Sequence, residues 1–330
     1  MKILKLILKG LAGLLLLGGV LLCLPRIWSA LTPNRPPMGY FFETPTYLAL
    51  YAGLEKMIDK EPPVTSDIQE IKDIEYKMID STSLKIDMYI PKNAAKPAPL
   101  LVFIHGGAWA HGKRSDYLTY LIPFAQQGYV TATVSYRLVK DGRNLYPACA
   151  EDIRDAVQWF FQNGEKYGYD PDRIALIGGS AGGHLSLLGA YGWQNTTEIN
   201  RDSIVEPQHK IKAVVDIYGP YDLTTPYSRT HPLVTRLIGH SYEDRPELYL
   251  EASPMKYLDK TDPPTMILHG SADNLVPVSQ SDTLKVHLDK MGIPNIYCRV
   301  PGWPHTMDLA QRVNDYSRKQ MSDFFEKYLK

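Results

Sequence analysis

The chain has little cysteine, no surplus of either charge, and none of the paired ligands that mark a metal centre. Three cysteines in 330 residues cannot form a disulfide scaffold, so stability must come from packing. Thirty-six Lys and Arg stand against 36 Asp and Glu. That leaves no basic excess to neutralise phosphates and argues against a nucleic-acid partner. The nine histidines include no His-Glu-x-x-His pair and no Cys-x-x-Cys occurs, so neither a metal nor another cofactor is expected. Internal repeats and low-complexity tracts are also missing. Cys149 and Cys298 read as buried free thiols, with a disulfide between them as the alternative. What remains, at 44% hydrophobic and 22% charged residues, is the composition of a globular protein with ample material for a core.

The charge balance is uneven along the chain. Residues 1–30 carry Lys2, Lys5, Lys9 and Arg26 and no acid, so residues 31–330 hold 32 basic against 36 acidic side chains. Residues 10–24 have no polar side chain, and the wider span 3–24 is interrupted only by Lys5 and Lys9. Fifteen uninterrupted apolar residues fall short of the ~20 that cross a bilayer core. Lys9 can carry its charge to the headgroups on its aliphatic stem and lengthen the span. Residues 1–30 therefore read as a signal-anchor helix that meets the membrane through residues 3–24. Three lysines ahead of it place the N-terminus inside and the rest of the chain on the extracytoplasmic side. Two alternatives stay open: a signal cleaved after Ala30, although Trp28 stands where a small residue is wanted, and a buried helix of a soluble protein. A lipoprotein at Cys23 is disfavoured by Leu22 before it.

Residues 31–37 hold three prolines and read as a linker. A helical lead-in at 41–60 ends at Pro62 and Pro63, so 31–69 joins the anchor to a domain at 70–330. Strand patterns fall at 74–79, 84–90, 100–105, 130–136, 173–178, 212–218, 265–269 and 295–300. Helical patterns fall at 117–127, 148–162, 181–191, 279–291 and 307–328. The third, fifth and seventh strands are continuously apolar, as strands covered on both faces must be. The first two alternate and adjoin, which suits an antiparallel start. The expectation is an α/β fold with a mostly parallel eight-stranded sheet flanked by helices and preceded by an N-terminal hydrophobic helix. Residues 222–262 lack a clear strand and read as a cap over the strand ends.

Three features carry chemistry. In Arg173-Ile-Ala-Leu-Ile-Gly-Gly-Ser-Ala-Gly-Gly-His184 a buried strand runs into a helix through small residues. Such a turn is sharp enough to lift the Ser180 hydroxyl above the sheet, with the helix N-terminus beside it. A phosphate-binding turn is the bland alternative, but a dinucleotide fingerprint would want Gly in place of Ser180. His105-Gly106-Gly107-Ala108-Trp109 ends the third strand. Backbone N–H groups of Gly106 and Gly107, with Ala181 from the other side, can form an oxyanion hole, while His105 reads as a residue that pins the loop. Asp273 and His305 follow the seventh and eighth strands on the same sheet edge. His305 would take the Ser180 proton and Asp273 would orient it, with Asp222 as the rival acid. Trp109 and Trp303 flank these loops as candidate walls of a substrate pocket, packing being the plainer reading. Asp216 reads as a satisfied polar residue near the sheet edge, and Asn195-Thr196-Thr197 fits a glycosylation sequon.

With these residues in view, the chain resembles an α/β-hydrolase over roughly residues 70–328. It is most similar to the esterases grouped with hormone-sensitive lipase and to the feruloyl-esterase-like BD-FAE proteins. His105-Gly106-Gly107 matches the oxyanion motif, 178–183 the nucleophile elbow, and Asp273 and His305 the acid and base. Ser135-Tyr136-Arg137-Leu138 followed by Tyr146-Pro147-Ala148 resembles the BD-FAE stretch after the fourth strand. Gly179 stands where hormone-sensitive-lipase relatives carry Asp, and Ala108 where they have a third glycine, which moves the resemblance toward BD-FAE. It implies a serine hydrolase that cleaves a small-molecule carboxylic ester through an acyl-enzyme on Ser180. An amidase or peptidase with the same three residues and a non-catalytic scaffold are the alternatives.

Overall fold

The computed structural model describes residues 2–33, 35–95, 97–192 and 210–330; the Asn195 sequon lies outside them. Helix α1 (Lys2–Leu31) comes first and α2 (Glu43–Tyr51) follows. Eight strands form one sheet: β1 (Ile68–Ile79), β2 (Thr82–Pro91), β3 (Ala98–Ile104), β4 (Val130–Val134), β5 (Tyr169–Gly179), β6 (Ala213–Ile217), β7 (Thr265–Gly270) and β8 (Asn295–Val300). Their order is β1-β2-β4-β3-β5-β6-β7-β8. The β1–β2 and β2–β4 pairs are antiparallel and the rest parallel, so the sheet is mixed and mostly parallel.

The continuous apolar runs explain the layering. Leu100, Val102 and Ile104 of β3, with Ile174 and Leu176 of β5, join one core. That core packs against α4 (Ala148–Gln162) and α6 (Ala181–Ala190), with α5 (Gly164–Tyr167) as a single turn between α4 and β5. Leu101, Phe103, Ala175 and Ile177 point the other way. They meet α3 (Leu118–Gln126) and α11 (Gln311–Tyr328). Side chains alternate across a strand, so a strand covered on both faces has no polar register left.

Segment 222–262 carries α7 (Pro226–Thr230), α8 (Pro232–Ile238) and α9 (Pro246–Glu251); α10 (Ser279–Met291) joins β7 to β8. Among the boundaries that differ from the sequence reading, three have a clear local cause. Strand β1 begins at Ile68, six residues early, because a register shift between Ile71 and Ile74 and a left-handed Asp73 break its alternation. Helix α2 stops at Tyr51, because Gly53 turns left-handed and the chain folds Glu55 inward. At the C-terminus Met307–Leu309 is a 3₁₀ turn. Ala310 then leaves helical geometry to bridge Met57, which delays α11. All three cysteines are free thiols.

Asp216, in β6, is fully buried. One carboxyl oxygen accepts from the Gly219 N–H at 2.9 Å, while the other has no partner among the described residues. The residue is thus only half satisfied. Burial pushes its pKa up to about 8, so the folded chain holds a proton that the unfolded chain releases near pH 4. Between those values the unfolded state binds fewer protons, and stability falls as pH rises. Asp216→Asn is expected to flatten this fall. Calorimetric melting temperatures from pH 5 to 8 should decline less steeply than wild type, and parallel profiles would contradict the assignment.

Candidate active site

Strand β5 hands over to α6 at Ser180, whose backbone lies at φ 57°, ψ −122°. A non-glycine residue in that region is strained by about 1–3 kcal/mol, and the surroundings hold it there. The Ser180 N–H donates to Ile217 O at 2.9 Å, and its carbonyl accepts from His184 N at 3.0 Å. Space enforces the neighbouring glycines. A Cβ on Gly182 would collide with Ile104 O and lie 2.8 Å from His105 O, so only glycine lets α6 start this close to the end of β3. The side chain at 180 is thereby presented at the carboxyl edge of the parallel strands, where ligands of such sheets bind.

The loop after β3 lies against this turn. A Cβ on Gly106 would sit 2.7 Å from Gly179 O and 3.4 Å from the Ser180 Cβ, so the Gly106 backbone flanks the serine directly. Gly107, Ala108 and Trp109 are successively left-handed, at φ 106°, 51° and 57°. Among the described residues no backbone acceptor takes the N–H of Gly106 or Gly107, and Ala181, first in its helix, has none within the helix. His105 is buried, stacked on Tyr136 at 4.4 Å and donates through Nδ1 to Gly106 O at 2.9 Å. Burial lowers its pKa, so it pins the loop as a neutral ring. Trp109 donates its indole N–H to His184 Nδ1 at 3.2 Å, and His184 Nε2 donates to Ala252 O at 2.7 Å. Burial holds His184 down to about 4; it ties loop, helix and cap together without charge.

Ser180, His305 and Asp273 meet in series. Ser180 Oγ lies 3.1 Å from His305 Nε2, and His305 Nδ1 lies 2.6 Å from Asp273 Oδ2. With Asp273 as acceptor, Nδ1 carries the hydrogen and leaves Nε2 free to accept the serine proton. Asp273 is buried and saturated: Oδ1 accepts from the N–H groups of Leu275 and Val276 at 2.8 and 2.9 Å, while Oδ2 also faces His269 Nε2 at 3.2 Å. Burial by itself raises the carboxyl's pKa, but the hydrogen bonds and charge of His269 and His305 outweigh it. The group is held well below the usual carboxylate range and stays ionised.

Two neighbours escaped the sequence reading. His269 spans Asp273 and Val276 O at Nε2 and Ser281 Oγ at Nδ1, the last at 2.7 Å; its only signal was a His four residues before the Asp. Tyr218 packs its ring 4.6 Å from that of His305 and donates its hydroxyl to the buried Asp308, a pairing with no sequence pattern. Asp222, the rival acid, is engaged elsewhere: Oδ1 accepts from Thr224 N and Oγ1 at 2.8 and 2.6 Å.

Beside Ser180 a small pocket of about 40 Å³ is walled by Trp109, Leu233, Val234, Leu275, Val276 and Pro277 among others. Segment 222–262 supplies part of this apolar wall, and Trp109 belongs to it. Trp303 does not. Its ring is buried edge-on to Tyr40 at 6.3 Å, and its indole N–H donates to Pro37 O at 3.0 Å. Its size serves to hold the lead-in, and it lines a second cavity, beside His305, instead of the pocket beside Ser180. Among the described residues no group of three or more His, Cys, Asp or Glu could hold a metal ion.

Comparison with known proteins places this geometry. The BD-FAE family model matches residues 86–288, more than half of the chain. Esterase LipC of Mycobacterium tuberculosis is 31% identical over 262 residues, covering 76% of this chain and 64% of that protein. The probable carboxylic ester hydrolase LipM of the same organism is 34% identical over 219 residues, 64% of this chain and 50% of its own. The chain thus spans between half and two-thirds of the length of these relatives. Among solved structures, a truncated carbohydrate esterase from gut microbiota superposes with a TM-score of 0.69 at 26% identity, over 81% of this chain and 99% of that one. Esterase 2 of Thermogutta terrifontis, phosphoramylated by tabun, shares the fold at 22% identity and a TM-score of 0.67, over 82% and 97%. The sheet order, the serine turn at 180 and the family match over 86–288 lead to one conclusion: the chain belongs to the BD-FAE family of α/β-hydrolases.

Proposed function

We propose that the chain is a membrane-anchored serine hydrolase that cleaves carboxylic esters, with residues 1–30 as anchor, 31–69 as linker and lead-in, and 70–330 as an extracytoplasmic catalytic domain. The observation that carries this reading is the hydrogen-bonded series from Ser180 Oγ through His305 to an ionised Asp273. His305 removes the hydroxyl proton as Ser180 attacks the ester carbonyl, and the oxyanion that forms is met by the N–H groups of Gly106, Gly107 and Ala181. The imidazolium, stabilised by Asp273, gives its proton to the departing alcohol. Water then attacks the acyl-enzyme by the same route in reverse and releases the acid. The narrow apolar pocket beside Trp109 suits the smaller of the two groups that flank the ester bond. Names of the relatives support an ester as substrate: esterase LipC, carboxylic ester hydrolase LipM, and the isoprenylcysteine α-carbonyl methylesterase of Arabidopsis thaliana at 28% identity. One helix, Ile7–Leu31, is long and apolar enough to cross a membrane, which supports the anchor.

Ser180→Ala should lower hydrolysis of p-nitrophenyl butyrate by the full chain in detergent at least about 10⁴-fold without moving its melting temperature. Retention of more than a percent of activity would end the acyl-enzyme reading.

His269→Ala removes one donor to the ionised carboxylate while Leu275, Val276 and His305 still hold it. A hydrogen bond to a charged group contributes about 1.5–3 kcal/mol. kcat should therefore fall roughly tenfold or more with KM unchanged, and His269→Gln, which keeps a donor, should recover part of it. A change confined to KM would refute the positioning role.

A further inference from the structure

The anchor helix is not on a free tether. Arg312, in the first turn of α11, donates through Nη1 to Ser29 Oγ at 2.6 Å. Through Nε and Nη2 it pairs with Glu55 at 2.8 and 2.7 Å, and its guanidinium lies over the Trp303 ring at 4.9 Å. Glu55, itself buried, also accepts from Tyr40 Oη at 2.8 Å. One side chain thus fastens the end of α1, the lead-in and the loop that carries His305, and the domain meets the membrane in a set attitude.

That attitude turns the lead-in back along the helix. Residues 38–48 and helix residues 18–25 face each other across an apolar groove lined by Gly18, Leu21, Leu22, Phe41, Phe42 and Leu48 among others. At 1.5 Å per residue a ~30 Å hydrocarbon core takes ~20 residues, which the span 3–24 supplies. Residues 18–24 then occupy about the outer third of the core, and the lead-in residues beside them lie at the same depth. Their exposure fits: Phe42 is 70%, Leu48 53% and Tyr51 91% accessible, a continuous apolar face that water would penalise. Phe41 is held at φ 64°, with its N–H bonded to Gly302 O at 2.8 Å, and its ring remains exposed. Aromatic side chains at this level are typical of a membrane interface.

The same face leads to the reactive base. A cavity of about 430 Å³ opens between Tyr47, Leu50 and Tyr51 of the lead-in and Trp303, Pro304 and His305 of the domain. We propose that the lead-in is seated in the outer leaflet of the bilayer, and that this cavity admits the hydrocarbon chain of an ester already dissolved in the membrane. The ester bond then reaches Ser180 sideways from lipid, and the substrate class is long-chain, membrane-partitioned esters. This rests on the reading of Ser180 as nucleophile, but the seating of the lead-in does not.

The test uses the full chain in phosphatidylcholine vesicles and the variant Phe42→Ser/Leu48→Ser, two lipid-facing positions outside the cavity that reaches His305. The variant should retain soluble p-nitrophenyl butyrate hydrolysis within about twofold and lose about tenfold or more on vesicle-borne p-nitrophenyl palmitate. Equal rates with wild type on both substrates, or an equal loss on both, would overturn the proposal. Wild type inactive on both would refute the nucleophile instead, so seating is read separately. A fluorophore on Leu48→Cys, in a Cys23→Ala/Ser180→Ala background, should be quenched more strongly by doxyl groups on lipid acyl chains than by aqueous iodide. The reverse order would overturn the proposal whatever the activity. Disulfide formation between chains at Leu48→Cys, equal in detergent and vesicles, would assign the face to a second copy and overturn it too.

Discussion

The start of helix α6 lies in van der Waals contact with the ends of β3 and β5, and the remaining geometry of the site depends on this approach. It requires glycine at 182, where any Cβ would strike the Ile104 carbonyl. Ser180 must also accept a left-handed backbone. In return the serine hydroxyl, the first N–H of the helix and the Gly106 backbone share one small volume. A hydroxyl on an ordinary loop would need three separate elements to converge. Here one tight turn positions two of the groups and the sheet register supplies the third, since β3 and β5 are neighbours paired Ile104 to Gly178.

Around that turn, burial sorts the ionisable groups by the number of donors each can find. Asp273 has four partners, two of them backbone N–H groups, and stays ionised in spite of desolvation. Asp216 has one partner and is driven to its neutral form. His105 and His184, each hydrogen-bonded to a backbone carbonyl, are held neutral by desolvation. Of the two aspartates at these strand ends, Asp273 therefore keeps its negative charge while Asp216 does not, and that charge sits against His305. The distinction comes from the loop after β7, whose Asp273-Asn-Leu-Val sequence turns its own amides back onto the Asp273 carboxylate.

Patterns with short periods were legible in the sequence, and pairings between distant segments were not. All eight strands and the exact span of α4 and α10 follow from apolar runs and helical spacing, because burial acts on local pattern. The serine turn, the glycine pair and the order Ser180, Asp273, His305 were legible because each lies at a strand end, and parallel strands bring their ends together. The packing role of Trp303 was not legible, because its partners Pro37 and Tyr40 lie more than 260 residues earlier. Tyr218 and Asp308 failed for the same reason. The early start of β1 was hidden by a bulge, which breaks the two-residue period on which strand reading rests.

The lead-in shows how such a distant pairing couples the N-terminal helix to the loop that carries His305. Arg312 reaches three segments that share no local pattern: Ser29 at the end of the anchor, Glu55 after α2, and Trp303 two residues before His305. A guanidinium is suited to this, since its five donors in one plane satisfy several acceptors and its face stacks on an indole. The Glu55 carboxylate is buried and would be costly there without its cation, so the clamp and the fold of the lead-in require each other. The loop bearing His305 is therefore braced by the same residues that fasten the end of α1. The outer face of the His305 loop is completed by a segment whose side chains Phe42, Leu48 and Tyr51 remain largely exposed, and an apolar face of this kind is what an interfacial seat in a bilayer would cover, as proposed above.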